Sequence, residues 1–321
     1  MSEINIVSWN VNGIRTRIFD NKMSGTCKNK IRKCDEDSSL HQLINMSNAD
    51  FICLQETRCS IENSKCLIID GYTSYFNESK LENARGPNRY SGTAIYVKNE
   101  FNELINEVNY QIPANDELTY NDEEGRIIII YFNNYQNVLI NVYTPNSGTN
   151  FEKRLRFQHS IYNFLKAESI NRNVIYAGDL NVAYLPQDCH FKYIKSSTYK
   201  KIKGPVVGIL PEELEFMQSL LKLDYKDSFL EVNYSPNISE DQPKDYTGFT
   251  WWDPKMKKMF NEETNTNMSI FRASNYGWRI DYIIVTVKIE VLESKVLKTV
   301  GEYTEPNASD HAPIYSKLKL N

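Results

Sequence analysis

The sequence predicts an α/β fold built on a mixed β-sheet, and three observations carry that prediction. Short apolar runs alternate along the chain with segments of helical spacing. The polar residues with chemical potential stand just outside the apolar runs. They stand on opposite sides of them: Asn10, Glu56, Tyr143, Asp179 and Asn181 follow their runs, whereas Asp281, Asp310 and His311 lead into theirs. If all of them share one rim, some strands run antiparallel to others, which disfavours a doubly wound parallel sheet.

Taken in order, Ile4 to Trp9 reads as a strand, closed by the turn Asn10-Val11-Asn12-Gly13. Phe19 to Asp37 is polar, charge-mixed and aperiodic, the pattern of a surface loop. Leu40, Leu43 and Ile44 mark one face of a helix capped by Ser38 or Ser39. Phe51 to Leu54 is a strand that delivers Glu56, and an isolated charge is costly at the end of a buried strand. Further strands are predicted at Tyr72 to Phe76, Thr93 to Val97, Ile127 to Phe132 and Val138 to Val142, the third too apolar to face water on either side. Leu155, Ile161, Phe164 and Leu165 have helical spacing. Val174 to Ala177 is a strand that breaks at Gly178 and presents Asp179 and Asn181. A basic, irregular stretch from Cys189 to Gly208 precedes a helix from Pro211 through Leu221, with proline in its first turn. Thr250 to Asp253 reads as a strand displaying aromatics, and a lysine- and asparagine-rich segment from Pro254 to about Asn267 follows. Tyr282 to Val285 and Ile314 to Leu318 are the closing strands.

Composition narrows the class. A chain of 321 residues, 41% hydrophobic and without a Pro/Ser-rich linker or a repeat, predicts one large domain. No leader-like segment and no apolar run of membrane-spanning length is present, so a soluble intracellular protein without membrane contact is expected. Six cysteines without a C-x-x-C pair read as free thiols and argue against zinc. The formal charge of −4 argues against a generic polyanion binder, and the lysine clusters at 28–33, 195–203 and 255–258 read first as solvated loops. Nucleic-acid binding has to be argued from the rim itself.

On a shared rim, Glu56, Asp179, Asp281 and Asp310 repel one another. Two unit charges ~4 Å apart do so by about 4 kcal/mol at an effective dielectric of about 20. Such a cluster calls for a cation, and oxygen donors favour Mg²⁺, with Mn²⁺ as substitute, over zinc. Asp281 can orient the ring of His311 as an acid orients histidine in hydrolase triads. A hard cation, an oriented histidine, amide donors and a tyrosine hydroxyl suit phosphoryl transfer. No serine sits in a nucleophile elbow and no glycine-rich phosphate loop precedes a lysine, which leaves water as the nucleophile.

Six motifs then stand in a familiar order: Ser8-Trp9-Asn10-Val11-Asn12-Gly13-Ile14-Arg15, Leu54-Gln55-Glu56-Thr57, Val142-Tyr143-Thr144-Pro145-Asn146-Ser147-Gly148, Gly178-Asp179-Leu180-Asn181-Val182-Ala183, Gly277-Trp278-Arg279-Ile280-Asp281-Tyr282 and Ser309-Asp310-His311-Ala312-Pro313. Together they resemble the exonuclease III class of apurinic/apyrimidinic endonucleases, from residue 4 to residue 320. The resemblance implies a four-layer α/β sandwich, two mixed sheets flanked by helices, as in the DNase I-like superfamily. It implies Mg²⁺-dependent cleavage of double-stranded DNA 5′ to an abasic site by a monomer, with 3′-phosphodiesterase and 3′→5′ exonuclease activity as possible companions. By position, Glu56 resembles the main metal ligand, with Asn10 and Asp310 beside it. His311 with Asp281 resembles the dyad at the scissile phosphate, and Asp179 the residue that handles water or the leaving oxygen, with Asn181 either orienting it or holding a phosphate oxygen. Tyr143 and Asn146 would bind the phosphate.

Trp252 and Trp278, with Arg279 in the same motif, are placed like the residues that take an extruded abasic sugar. Met268 is placed like a groove wedge; ordinary core packing is the alternative for Trp252, Trp278 and Met268, and the preferred reading for Met268. Two departures stand out: Asn12, where some relatives carry an acid, and Thr149, where some carry an arginine. Segments 19–37 and 254–267 look like insertions. Competing readings are a phosphatase or a retroelement-type nicking endonuclease of the same superfamily, and a non-catalytic damage-binding protein. The intact acid, amide and histidine set disfavours the last.

Overall fold

The computed structural model describes residues 2–15, 32–34, 36, 38–81, 90–114, 117–190, 206–233, 246–252, 277–297 and 309–320. In chain order the elements begin with β1 (Ser2–Asn10), β2 (Arg32–Lys33), α1 (Ser39–Ser47), β3 (Phe51–Gln55), α2 (Ile61–Ser64), β4 (Leu67–Ile68), β5 (Tyr72–Asn77), β6 (Thr93–Lys98) and β7 (Ile105–Asn109). There follow β8 (Ile127–Phe132), β9 (Asn137–Tyr143), α3 (Phe151–Glu168), β10 (Asn173–Asp179), α4 (Pro211–Leu221), β11 (Tyr225–Asp227), α5 (Ser228–Asn233), β12 (Asp281–Thr286), β13 (Glu290–Val296) and β14 (Ile314–Leu320).

These strands form two six-stranded mixed sheets, ordered β13-β14-β1-β3-β6-β5 and β11-β12-β10-β9-β8-β7, with β2 and β4 as a small separate pair. The period-2 alternation of side chains sorts each strand onto two apolar layers. Ile128, Ile130 and Phe132 of β8 face Ile6, Phe51 and Ile95 of the other sheet, filling the space between the sheets. Ile127, Ile129 and Tyr131 of the same strand face outward, under Phe157, Ile161 and Leu165 of α3 and Phe216, Met217 and Leu220 of α4. Val7, Trp9, Ile52 and Leu54 face outward from the first sheet onto Leu40 and Leu43 of α1. Helix, sheet, sheet and helix thus stack as a four-layer sandwich, and the continuously apolar β8 is covered on both faces.

Local chemistry sets the helix ends. The Ser38 side chain accepts the His41 N–H at 3.1 Å and caps α1, and Asn48 closes it in the left-handed conformation. Asn150 caps α3 through the Lys153 N–H at 3.0 Å. Pro211 opens α4, where its missing N–H costs no helical bond.

Several expectations need correction. Thr250 to Asp253 is not a regular strand: Trp251 makes only isolated bridges to Trp278 and His311, and Asp253 lies outside the described residues. Within 19–37, Arg32–Lys33 pairs in parallel with Leu67–Ile68 instead of looping. The strands β7, β11 and β13, which periodicity does not reveal, lie at sheet edges, where one flank is open and charged residues such as Glu290, Glu293 and Lys295 are tolerated. Residues 254–267 and Met268 lie outside the described residues. No helix among the described residues is long and apolar enough to cross a membrane.

Candidate active site

Strand directions bring the polar residues to one rim. In the first sheet β1 and β3 run parallel and β14 antiparallel to them; in the second, β9 and β10 run parallel and β12 antiparallel. The C-terminal ends of β1, β3, β9 and β10 therefore meet the N-terminal ends of β12 and β14. Tyr143, Asp179 and Asp281 fall in a single row across β9, β10 and β12. Gly178 makes that row possible. At its φ of +146°, a Cβ would stand 2.0 Å from the Val142 carbonyl oxygen, so only glycine lets β10 close on β9 one residue before Asp179.

The turns that leave the strands are strained. Asn12, Glu56, Arg58 and Asn181 all have φ between 47° and 51°. Non-glycine residues hold such angles at a cost of about 1–3 kcal/mol each, and they concentrate at functional sites.

Hydrogen bonds tie the rim together across both sheets. Asn10 Nδ2 donates to Glu56 Oε1 at 3.1 Å and to Asp179 Oδ2 at 2.9 Å. Its side-chain Oδ1 accepts the Asn12 N–H, and Asn12 Nδ2 donates to Asp310 Oδ1 at 3.0 Å. Asn10, expected at the metal, thus bridges two carboxylates, one from each sheet, with its amide nitrogen. Arg58 forms an ion pair with Glu56. His311 Nδ1 lies 2.8 Å from Asp281 Oδ2, and its Nε2 lies 3.9 Å from Asp179 Oδ2. Ser309 Oγ donates to the Asn10 carbonyl and accepts the His311 N–H, while Trp9 Nε1 donates to the His311 carbonyl, fixing the Asp310–His311 turn on β1. The Asn181 N–H donates to Asp179 Oδ1 at 2.9 Å, and the Asn181 amide reaches the Thr144 carbonyl.

Burial and charge shift the titration of these groups. Burial first, and Asp281 second, raise the Asp179 carboxyl to about 7. Burial opposes the His311 imidazolium, but Asp281, then Asp179 and Asp310, outweigh it and push the ring up to about 10. Burial and the neighbouring Glu56 hold the Tyr143 phenol well above its usual range, so it stays a hydrogen-bond donor. The guanidinium of Arg126, buried and paired with Glu124, lies 4.5 Å from the centre of the Tyr143 ring and donates to the Tyr143 carbonyl.

Glu56, Tyr143, Asn146, Asp179, Asp310 and His311 open onto one pocket of about 340 Å³, walled on its far side by Val207, Trp251 and Trp278. Asp179, Asp281 and His311 offer ligand atoms within 4.8 Å of one another, a group able to hold a metal ion. The rim fits a hard cation: carboxylate oxygens crowd it, no thiolate joins them, and Asp281 Oδ1 is buried without a hydrogen-bond partner.

Two expected substrate residues sit elsewhere. Trp252 is buried in the cluster with Tyr246 and Phe249 behind the pocket, and its neighbour Trp251 takes the wall position and donates Nε1 to Asp310 Oδ2 at 3.1 Å. In an extended segment adjacent side chains point to opposite faces, so the paired tryptophans divide between wall and core. Arg279 is wholly buried. It grips Asp188 through Nε and Nη2 and Asp227 through Nη1, which withdraws it from the pocket. Trp251, Val207, Arg58 and Arg126 escaped the sequence reading. Only the Trp-Trp pair, and the arginine two residues after Glu56, left a trace that could have found them.

Over 318 residues the chain is 29% identical to recombination repair protein 1 of Drosophila melanogaster, covering 97% of this chain and 36% of that protein. It is 27% identical over 312 residues to the exodeoxyribonuclease of Bacillus subtilis, covering 96% and 97% of the two chains. It is 26% identical over 357 residues to DNA-(apurinic or apyrimidinic site) endonuclease 2 of Bos taurus, covering 99% of this chain and 61% of that one. The chain therefore spans about a third of the fly protein but nearly all of the bacterial one. Among solved structures, an AP endonuclease from Leishmania major shares the fold with a TM-score of 0.69 at 22% identity, covering 99% of this chain and 88% of that one. A 3′ phosphatase from Neisseria bound to a product DNA hairpin does so with a TM-score of 0.66 at 19% identity, covering 98% and 99%. Residues 7–311 match the endonuclease/exonuclease/phosphatase family, and with that match spanning most of its length the chain belongs to this family.

Proposed function

We propose that this chain is a DNA-repair endonuclease that hydrolyses the phosphodiester 5′ to an abasic site in double-stranded DNA, leaving a 3′-hydroxyl and a 5′-deoxyribose phosphate. The observation that carries the reading is the convergence of Glu56, Tyr143, Asp179, Asp310 and His311 on one pocket with a tryptophan wall. The names of the fly, bacterial and bovine relatives point the same way.

Mg²⁺, with Mn²⁺ as substitute, suits the oxygen donors, and of the carboxylates that face the pocket Glu56 and Asp310 would hold it. A bound cation supplies charge neutralisation at the non-bridging phosphate oxygens. The chain's own groups do the rest. His311, kept cationic by Asp281, presents Nε2–H to a phosphate oxygen. Asp179 Oδ2, 3.9 Å from that nitrogen, has a carboxyl raised into the range where one group both takes and gives a proton near neutral pH. The Asn181 N–H fixes its other oxygen. Tyr143 adds a phenol donor, and Asn146 Oδ1 accepts the Gly148 N–H, leaving Asn146 Nδ2 as the donor for phosphate. Trp251 and Trp278, edge to face at 6.3 Å, form an apolar wall for a sugar turned out of the helix. The chain acts as a monomer on duplex DNA.

End processing is the second reading, since the Neisseria neighbour is described as a 3′ phosphatase and the Bacillus relative as an exodeoxyribonuclease. One assay separates the two. A duplex with a single tetrahydrofuran abasic analogue should receive one Mg²⁺-dependent nick 5′ to the lesion, lost in chelator and slowed at least ~10²-fold by Asp179→Asn. Equal cutting of undamaged duplex would refute abasic recognition, and faster release of phosphate from a matched duplex bearing a 3′-phosphate than nicking of the tetrahydrofuran duplex would favour end processing.

A further inference from the structure

The rim groups come from two sheets, and the chain passes between those sheets at 99–104 and 287–289, at the strand ends remote from the rim. The first sheet carries Glu56, Asp310 and His311; the second carries Tyr143, Asp179 and Asp281. The layer between them is largely apolar, with Ile6, Phe51 and Ile95 against Ile130, Leu139 and Ile175. Such burial is non-directional. Packing holds the sheets together without pairing particular polar groups across the seam, and at reacting groups a displacement of ~1 Å can cost ~10²-fold in rate.

Directly beneath the rim, a buried polar pair crosses this layer. Gln55, one residue before Glu56, donates Nε2 to Asn141 Oδ1 at 2.7 Å and to Ser8 Oγ at 3.0 Å. Asn141, two residues before Tyr143, donates Nδ2 back to the Leu54 carbonyl at 3.0 Å and the Ala94 carbonyl at 2.9 Å. The bonds join β1, β3 and β6 of one sheet to β9 of the other, and Ser8, Gln55 and Asn141 are each 0% exposed. Hydrogen bonds constrain both distance and angle, as the apolar layer does not. The pair is not optimised for stability alone. Gln55 Oε1 is buried without a hydrogen-bond partner, a cost of about 1–3 kcal/mol that apolar residues of similar size would avoid.

We propose that Gln55 and Asn141 are positioning residues, a clamp between the sheets that holds the half-site bearing Glu56 and Asp310 in register with the half-site bearing Asp179 and Tyr143. The rim bonds that cross the seam, Asn10 to Asp179 and His311 to Asp281, take their geometry from it. The inference rests on the nuclease reading for its activity readout and on the two-sheet geometry for the rest.

Gln55→Met combined with Asn141→Leu keeps volume and removes the clamp. For nicking of the tetrahydrofuran duplex, kcat should fall at least ~10-fold while KM stays within ~3-fold. Mg²⁺ affinity, measured by calorimetry with the metal alone, should also stay within ~3-fold, because Glu56 and Asp310 belong to one sheet. Amide hydrogen exchange without substrate should rise at 179–181 and 310–312. The exchanged pair, Gln55→Asn with Asn141→Gln, keeps the summed reach of two amides and should recover most of the lost kcat. Should the apolar pair not fold, Gln55→Met alone carries the same comparison, since Asn141 keeps its bonds to Leu54 and Ala94. Parent-like turnover of the clamp-free protein, or an exchanged pair no better than the apolar one, overturns the clamp. A parent that never nicks counts against the nuclease reading instead; the exchange measurement then decides the clamp, and an unchanged pattern overturns it.

Discussion

His311 of the first sheet and Asp281 of the second meet across the seam at 2.8 Å, with both side chains buried. The carboxylate stabilises the imidazolium, and the linkage has a definite sign. The folded-state value, about 10, lies above the ordinary value of 6.5, so protonation favours the folded protein. The contribution is fully present below pH ~6.5 and disappears as pH rises through about 10. In chelator, to exclude bound cations, the urea stability of the parent should exceed that of His311→Gln by at least ~1 kcal/mol at pH 6, the worth of about one pKa unit. The difference should shrink steadily toward pH 10. A gap that holds constant across this range would mean that the dyad is not charged in the folded state.

Arg279 illustrates how a motif residue can serve a site without touching it. Its guanidinium is held between Asp188 and Asp227, its N–H donates to the Asp188 carbonyl, and the Tyr246 hydroxyl donates to Asp188 as well. Arg279→Met leaves two buried carboxylates without a counter-charge, and breaking such a pair costs about 3–5 kcal/mol. Denaturant titration should show that loss, whereas a direct substrate contact would raise KM and leave the unfolding midpoint in place.

Gly178→Ala tests the close approach of β9 and β10. The added methyl meets the Val142 carbonyl oxygen at 2.0 Å, and alanine disfavours the +146° φ. Backbone must move, because the obstructing atom belongs to a strand and not to the tip of a flexible side chain. Strain and overpacking together predict a loss on the order of 2–4 kcal/mol. Activity should fall further than stability alone requires, since Asp179 is the next residue. A variant as stable and active as the parent would show that β10 has room to shift.

The rim was legible because strand ends leave a local signature, an apolar run followed or preceded by a polar residue. Glu56, Asp179 and Asp310 were placed by that signature, and the two-way order of residues around their strands gave the mixed sheets. The Ser38 cap and the proline at the start of α4 were legible for the same local reason. What could not be read depends on partners distant in sequence. Arg279 is buried because Asp188 and Asp227, 91 and 52 residues away, close on it. The strand β13 is half charged because it lies at an edge, which only the completed sheet reveals.

The tryptophan pair shows the same limit and yields the last prediction. Nothing local distinguishes Trp251 from Trp252, yet one lines the pocket beside Asp310 and the other is 2% exposed behind it. Trp251→Ala removes part of the wall and the donor to Asp310 Oδ2, so KM for the abasic duplex should rise ~10-fold, in line with loss of one good contact of ~1.4 kcal/mol. Its thermal midpoint should move by no more than a few degrees, because the side chain is only partly buried. Trp252→Ala opens a cavity in the cluster shared with Tyr246, Phe249 and Trp278, and truncation of a buried tryptophan costs about 3–5 kcal/mol. Its KM, measured below the new unfolding midpoint, should stay near that of the parent. The opposite pattern, with Trp252 governing KM and Trp251 governing stability, would reverse the assignment of wall and core.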